Sequence, residues 1–262
     1  MSSVFANDAF AGKTVLVTGA TSGIGEGTAK AFAAHGANVM INGRDAARGG
    51  AVRDAIANEG GSVALSLGDV ADSTYSNRLV AETVDRFGRL DVLFNNAGIC
   101  LHGPVDETSD DDWDHLIGIN ISGSFYMARA AVRQMKAQGD GGAIINMSSE
   151  CGLIAYERLP AYSATKGAIV MLTKCMAIDH ARDGIRVNAV CPGDIDTPMT
   201  DLGWAHLDIS SEEIREKLKE HIPLGKVGRP LDIAHAVMYL ASDAAGFVTG
   251  TLLPIDGGTT AR

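Results

Sequence analysis

The chain has 262 residues, 46% of them hydrophobic, with 31 glycines, 7 prolines and a formal net charge of −10. Such a length and apolar content suit one large α/β domain with a sizeable core and argue against disorder. The acidic balance gives no electrostatic reason to expect nucleic acid or an anionic membrane as a partner, and no uninterrupted 18-residue apolar run is present to span a bilayer.

Residues 1–11 show no pattern and are expected as a loose lead-in. Apolar runs predict strands at 14–18, 38–42, 62–67, 91–95, 142–147, 185–191 and 251–255. Helical sequence is expected at about 23–35, 45–59, 73–87, 112–137, 160–183 and 230–242. Strands that alternate with helices imply right-handed crossovers and a parallel sheet. No linker, repeat or low-complexity stretch divides the chain, so residues 1–262 are expected as one domain. Asp110, Asp111, Asp112 and Asp114 read as acids at a helix start, with Ser109 as the N-cap. Residues 198–229 break the rhythm with Trp204, His206, a charged helix near 212–220 and Pro223-Leu224-Gly225. An excursion at the carboxyl end of a strand lies over the ligand crevice of an open α/β sheet, so this stretch is expected to be a substrate lid.

Two motifs carry chemistry. The first is Thr18-Gly19-Ala20-Thr21-Ser22-Gly23-Ile24-Gly25, between the first strand and the first helix. Strand, glycine-rich turn and helix form the context of a dinucleotide fingerprint, in which the helix N-terminus meets the pyrophosphate. Its spacing is G-x-x-x-G-x-G rather than G-x-G-x-x-G. The second is Tyr162-Ser163-Ala164-Thr165-Lys166. Residues four apart share a helix face, so the Lys166 ammonium can reach the Tyr162 phenol or a ligand beside it. A neighbouring cation favours phenolate and so brings an acid/base of pKa about 10 nearer neutrality.

With Asn95-Asn96-Ala97-Gly98, Asn120, Ser149 thirteen residues before Tyr162, Pro192-Gly193-Asp194-Ile195-Asp196-Thr197-Pro198 and Asp256-Gly257-Gly258, the chain resembles the short-chain dehydrogenase/reductase family over about residues 12–258. The resemblance implies a Rossmann-type, doubly wound α/β fold with seven strands in the order 3-2-1-4-5-6-7. It implies hydride transfer between a nicotinamide cofactor and a secondary alcohol or ketone, with Asn120, Ser149, Tyr162 and Lys166 as the catalytic set. Tyr162 would give or take the proton, Ser149 would hold the reacting oxygen, and Lys166 would lower the Tyr162 pKa and bind the nicotinamide ribose. Asn120 would help hold a water that links Lys166 to solvent. Strand alternation turns the neighbouring hydroxyl, Ser148, away.

The cofactor would lie along Gly19, Thr21, Ser22, Gly23, Ile24 and Gly25, then Asp69 and Val70 at the adenine, then Asn96, Ala97 and Gly98, with Tyr162, Lys166, Pro192, Gly193, Ile195 and Thr197 at the nicotinamide. At the end of the second strand, the family's acid that binds the adenosine ribose is replaced by Gly43, and Arg44 follows. A guanidinium can hold a 2′-phosphate bidentately, which favours NADP(H) over NAD(H). Ser22, which is not basic, keeps NAD(H) open.

Family position places Cys100, Cys151 and Tyr156 at the substrate, with Asp194, Met199, Trp204 and His206 as additions. This set contains no basic clamp for an anionic substrate, although Arg158 can supply charge. His102 and His206 read as rim residues, and Cys151 as a small buried residue rather than a nucleophile. Glu150, next to Ser149, is open between a subunit contact, the cofactor shell and solvent. The four cysteines form neither CxxC nor metal-ligand spacing, and residues 1–4 lack a signal-peptide pattern, so a cytoplasmic protein without a metal is expected. A non-catalytic nucleotide sensor on the same fold is the alternative, disfavoured because the catalytic set is complete. A sugar-nucleotide epimerase or dehydratase would need a longer chain. Apolar residues on two long helices, including Phe125, Met127, Ile169, Met171 and Leu172, together with the apolar edge of the last strand, suggest a homotetramer.

Overall fold

The computed structural model describes residues 5–204 and 209–261. Seven parallel strands form one sheet: β1 (Thr14–Val17), β2 (Asn38–Gly43), β3 (Ser62–Leu67), β4 (Val92–Asn95), β5 (Gly142–Met147), β6 (Ile185–Pro192) and β7 (Leu252–Ile255). Their order is β3-β2-β1-β4-β5-β6-β7, as expected. The continuous apolar character of the strands has a direct cause. Val15 and Val17 point into one core and Leu16 into the other, and Val39, Met40 and Ile41 split in the same way. One core lies under α1 (Gly23–Ala34), α2 (Ala46–Asn58) and α9 (Pro230–Ala241), and is filled by Phe32, Ile56, Ile233 and Val237. The other lies under α3 (Ser73–Phe87), α5 (Ser124–Gln138) and α6 (Pro160–His180), and is filled by Tyr75, Leu79, Met127 and Met176.

Three expectations change. The helix expected at 112–137 begins earlier, as α4 (Asp110–Ile117), with Ser109 Oγ accepting from the Asp112 amide at 3.1 Å. It then widens into a π turn over Gly118–Gly123 before α5 resumes. From residue 5 onward the lead-in is docked rather than loose. Phe10 is buried, its ring edge-on to Phe32 at 4.8 Å, and the Phe5 ring lies 6.0 Å from His35. Of the helix residues expected to face outward, Met127 and Ile169 are buried and Leu172 packs on the core. Phe125 and Met171 are exposed, joined by Ile178.

The excursion after β6 folds as α7 (Pro198–Trp204) and α8 (Ser211–His221). A capping box between Ser210 and Glu213 starts α8, and Ile214, Leu218 and Ile222 form a small core beneath it. Arg215 ties α8 to the chain before it through Asp196 and Asp201.

Candidate active site

The order of the sheet reverses between β1 and β4, and the loops after β1, β4, β5 and β6 meet there at the carboxyl ends of the strands. Such a switch point opens a crevice. The β1 loop is shaped by close approach. Gly19 and Gly23 have φ of +63° and +57°, a region that favours glycine. A methyl group at Gly25 would sit 2.4 Å from the Gly19 carbonyl oxygen. Asn96 staples this turn to β4, its Nδ2 donating to the Thr18 and Gly19 carbonyls at 2.8 and 3.1 Å. The Asn96 and Ala97 amides both donate to Thr18 Oγ1 at 3.0 Å. Ser22, the N-cap of α1, makes no capping bond with its side chain, so the first amides of α1 remain as donors toward the crevice. A glycine cradle closed to any Cβ and an uncapped helix start fit a dinucleotide pyrophosphate.

At the adenine end, Arg44 and Asp69 are both exposed and face each other at 3.4 Å. Asp69 Oδ1 also accepts from the Ala71 amide at 2.9 Å. Val70 is buried against Gly123, which leaves its backbone rather than its side chain to meet a ligand. Thr21 is turned under the end of β2. A Cβ at Gly43 would lie 2.3 Å from Thr21 Cγ2, so Thr21 fills the space that an acid at position 43 would need.

Four elements place the catalytic candidates. Asn120 lies on the π turn and is buried. Its Oδ1 accepts from the Ile99 amide at 2.9 Å, and its Nδ2 donates to the Ile99 carbonyl at 2.9 Å and to Thr165 Oγ1 at 3.1 Å. Asn120 thereby joins the β4 loop to α6. A π turn at a functional position is a recurrent association. Ser149 caps a short 3₁₀ turn after β5, its Oγ accepting from the Cys151 amide at 3.1 Å. Ser148 also lines the cavity, and its Oγ donates to the Lys166 carbonyl at 3.0 Å. Lys166 is 4% exposed, its Nζ donating to the Met147 carbonyl at 3.0 Å and lying 5.4 Å from the centre of the Tyr162 ring.

The charges differ from the expectation in one respect. Burial, with the Cys100 and Cys151 thiols nearby, pushes the Tyr162 phenol above its usual 10, and Ser149 opposes this. Lys166 is itself lowered to about 8 by burial. The protein's own groups therefore do not depress Tyr162, because burial outweighs the Ser149 contribution that lowers it.

One cavity is lined by Gly19, Ser22, Gly23, Ile24 and Gly25, by Asn96, Ala97 and Gly98, and by Pro192, Gly193, Ile195 and Thr197. Ser149, Tyr162, Lys166, Cys100, Cys151 and Met199 line it too. Thr21, Arg44, Asp69, Val70, Asn120 and Tyr156 stand outside its wall. His206 and the side chain of Trp204 lie outside the described residues. Burial raises the Cys100 and Cys151 thiols to about 12 and about 11, so both stay protonated near neutrality and neither is an activated nucleophile. Sequence reasoning missed Thr165, whose Oγ1 donates to the Tyr162 carbonyl at 2.7 Å while accepting from Asn120. Its position inside Tyr162–Lys166 was the available signal. Glu150, left open, is 5% exposed and lines the cavity.

Comparison with known proteins agrees with this geometry. The family model described as enoyl-(acyl carrier protein) reductase matches residues 19–260. An uncharacterized oxidoreductase of Thermotoga maritima is 44% identical, over 96% of this chain and 99% of its own. A meso-2,3-butanediol dehydrogenase of Serratia marcescens is 39% identical, over 96% of each. Among solved structures, a candidate NAD(P)-dependent gluconate 5-dehydrogenase from Beutenbergia cavernae, with NADP at low occupancy, superimposes with a TM-score of 0.89 at 34% identity. It covers 98% of this chain and 100% of its own. Relatives of this kind are enzymes and lend no support to a non-catalytic sensor. The chain belongs to the short-chain dehydrogenase/reductase family and is a nicotinamide-dependent oxidoreductase.

Proposed function

We propose that the chain interconverts a secondary alcohol and a ketone with Tyr162 as the general acid/base, and that it prefers NADP(H). The observation that carries this reading is the meeting of Ser149, Tyr162 and Lys166 on the wall of the cavity that begins at the glycine turn. When bound, the dinucleotide supplies or accepts the hydride. Gly19, Gly23, Gly25 and the α1 amides hold its pyrophosphate, and Gly193, Ile195 and Thr197 border its nicotinamide end. Ser149 Oγ donates to the reacting oxygen, where negative charge develops in the reduction. Tyr162 passes its proton to that oxygen, and takes it back in the oxidation. Lys166 would hold a ribose hydroxyl of the dinucleotide, and its charge beside the phenol would favour the ionised form of Tyr162. Asn120 positions the β4 loop and α6 around this ammonium.

The preference for NADP(H) rests on Arg44 beside a strand end without an acid, and the NADP in the related structure is in keeping with it. α7 and α8 act as the substrate lid, because Met199 on α7 lines the cavity while Arg215 anchors α8 to the β6 loop. Exposed Phe125, Met171 and Ile178 on α5 and α6 would be covered in a homotetramer. No described helix is long and apolar enough to cross a membrane. A panel of ketones, diols, polyols and sugars, each tested with NADH and NADPH at the nicotinamide absorbance band, tests reaction and cofactor together. Absence of turnover across the whole panel would reject the reading.

A further inference from the structure

Asn96 holds the glycine turn from the β4 side, and a second buried amide holds it from the β2 side. Asn42, near the end of β2, is 1% exposed. Its carbonyl accepts from the Ala20 amide at 2.8 Å, and its Oδ1 accepts from the Gly19 amide at 3.4 Å. Its Nδ2 donates to the Gly68 carbonyl at 3.2 Å and to the Tyr75 hydroxyl at 2.9 Å. One side chain thus joins the turn after β1 to the turn after β3, which runs on into Asp69 and Val70. Tyr75 is buried and supports the second turn directly, since a Cβ at Gly68 would lie 2.3 Å from its Cε2. A carboxamide has a donor end and an acceptor end of nearly equal shape, and the hydrogen-bond chain decides which of them faces Gly19. Ser66 Oγ gives its one proton to Glu82 Oε2 at 2.5 Å. The Tyr75 hydroxyl, 3.0 Å from Ser66 Oγ, is therefore the donor in that bond and the acceptor from Asn42. Burial holds the Tyr75 phenol above its ordinary range, so its proton stays in place near neutrality. With the amide reversed, two donors would face each other at Gly19 and two oxygens at Gly68.

Resting on the placement of the pyrophosphate at the glycine turn and of the adenine beside Asp69 and Val70, we infer that Asn42 and Tyr75 are positioning residues for the ADP half of the dinucleotide. Neither lines the cavity, so both act through the backbone that does. Asn42 fixes the spacing between the two turns that an ADP moiety bridges, and Tyr75 fixes the end of the amide that Asn42 shows to Gly19. The need is local. Gly19 has a φ of +63° and no side chain to anchor it. Asn96 grips its carbonyl and Asn42 its amide, so the peptide planes on both sides of it are held. The nicotinamide end is built on other elements. Ser149, Tyr162, Lys166 and Thr197 stand on α6 and on the loops after β5 and β6. The action of Asn42 and Tyr75 is therefore confined to one half of the ligand.

Calorimetric titration of ADP-ribose and of 2′-phospho-ADP-ribose into wild type, Tyr75→Phe and Asn42→Ala tests this. Urea unfolding of each variant accompanies it, with kcat and KM for the dinucleotide measured on a ketone that the wild type reduces. Tyr75→Phe keeps the ring and loses one oxygen, and is expected to weaken the tighter of the two probes by about tenfold. Asn42→Ala removes every side-chain bond between the two turns and is expected to weaken it by about tenfold more. Both losses appear in the KM for the dinucleotide rather than in kcat. A merely structural role would lower the unfolding stability and leave the probe affinity of the folded protein unchanged, which overturns the inference. An equal loss in kcat overturns it too, because the chain of bonds would then act on the nicotinamide end as well. Tyr75→Phe carries the test by itself if Asn42→Ala does not fold. Gly25→Ala separates the inference from the placement beneath it. If Gly25→Ala binds the probes as the wild type does, the pyrophosphate lies elsewhere and the placement fails. If Gly25→Ala loses the probes while Tyr75→Phe and Asn42→Ala keep them, the inference alone fails.

Discussion

Glu150→Gln should make the protein increasingly more stable than the wild type as pH rises from 5 to 8. Burial, against the opposing effect of Tyr156 and with the Asp194 and Asp256 charges, holds the carboxyl at about 7 rather than its ordinary 4.5. Between those values the folded chain keeps a proton that the unfolded chain has released, so stability falls as pH rises. The contribution is complete below about 4.5, drains away through the interval and is gone above about 7. The distance between 4.5 and about 7 corresponds to about 3 kcal/mol in total. Little of this has been lost at pH 5 and nearly all of it at pH 8. Glutamine has the same shape and cannot ionise. The gap in unfolding free energy should therefore widen by about 2–3 kcal/mol across the range. Urea unfolding followed by circular dichroism at pH 5, 6, 7 and 8 measures it. A gap that stays constant with pH, or widens toward acid, would refute the reasoning, because the carboxyl would then be ionised in the fold without penalty.

Tyr162→Phe should bind cofactor normally in a fluorescence titration and lose nearly all turnover, while Ser149→Ala should fall by about 10²–10³ in kcat. Near-normal rates in Tyr162→Phe would sink the proton-transfer role. Arg44→Ala should weaken NADPH by about 1–3 kcal/mol and spare NADH in calorimetric titrations, and an equal loss for both would remove the phosphate contact. Gly25→Ala puts a methyl 2.4 Å from the Gly19 carbonyl oxygen, so affinity for either dinucleotide should drop at least about tenfold while the sheet's circular dichroism is kept. Light scattering behind a sizing column should give about four times the 27.3 kDa of one chain, and a single-chain mass at micromolar concentration would exclude the tetramer.

The central strands were legible because they are buried on both faces, which turns tertiary environment into a continuous apolar run that can be read locally, whereas the edge strands β3 and β7 are only partly buried. The glycine turn and Tyr162–Lys166 were legible because backbone approach and helix spacing leave fixed intervals in a sequence. The π turn was not. Gly118-Ile119-Asn120-Ile121-Ser122-Gly123 has a glycine at each end but nothing that signals a wider turn, and Asn120 within it reaches both the β4 loop and α6. The docking of Phe5 and Phe10 was hidden for a similar reason, since Phe32 and His35 lie more than twenty residues away and no periodicity links them. The state of Tyr162 depends on what buries it. Spacing places Tyr162 and Lys166 together but says nothing of how deeply the phenol is buried.

Thr21 and Gly43 have a consequence for how this chain can change over generations. With the Thr21 methyl 2.3 Å from where a Cβ at 43 would stand, the two positions constrain each other's history. An acid at the end of β2, the residue type that grips the unphosphorylated adenosine ribose, cannot arrive by a single substitution without displacing the glycine turn on which either dinucleotide depends. A smaller residue at 21 has to come first, and it brings no benefit to selectivity by itself. The route from one nucleotide to the other is therefore ordered, with a neutral step before the useful one.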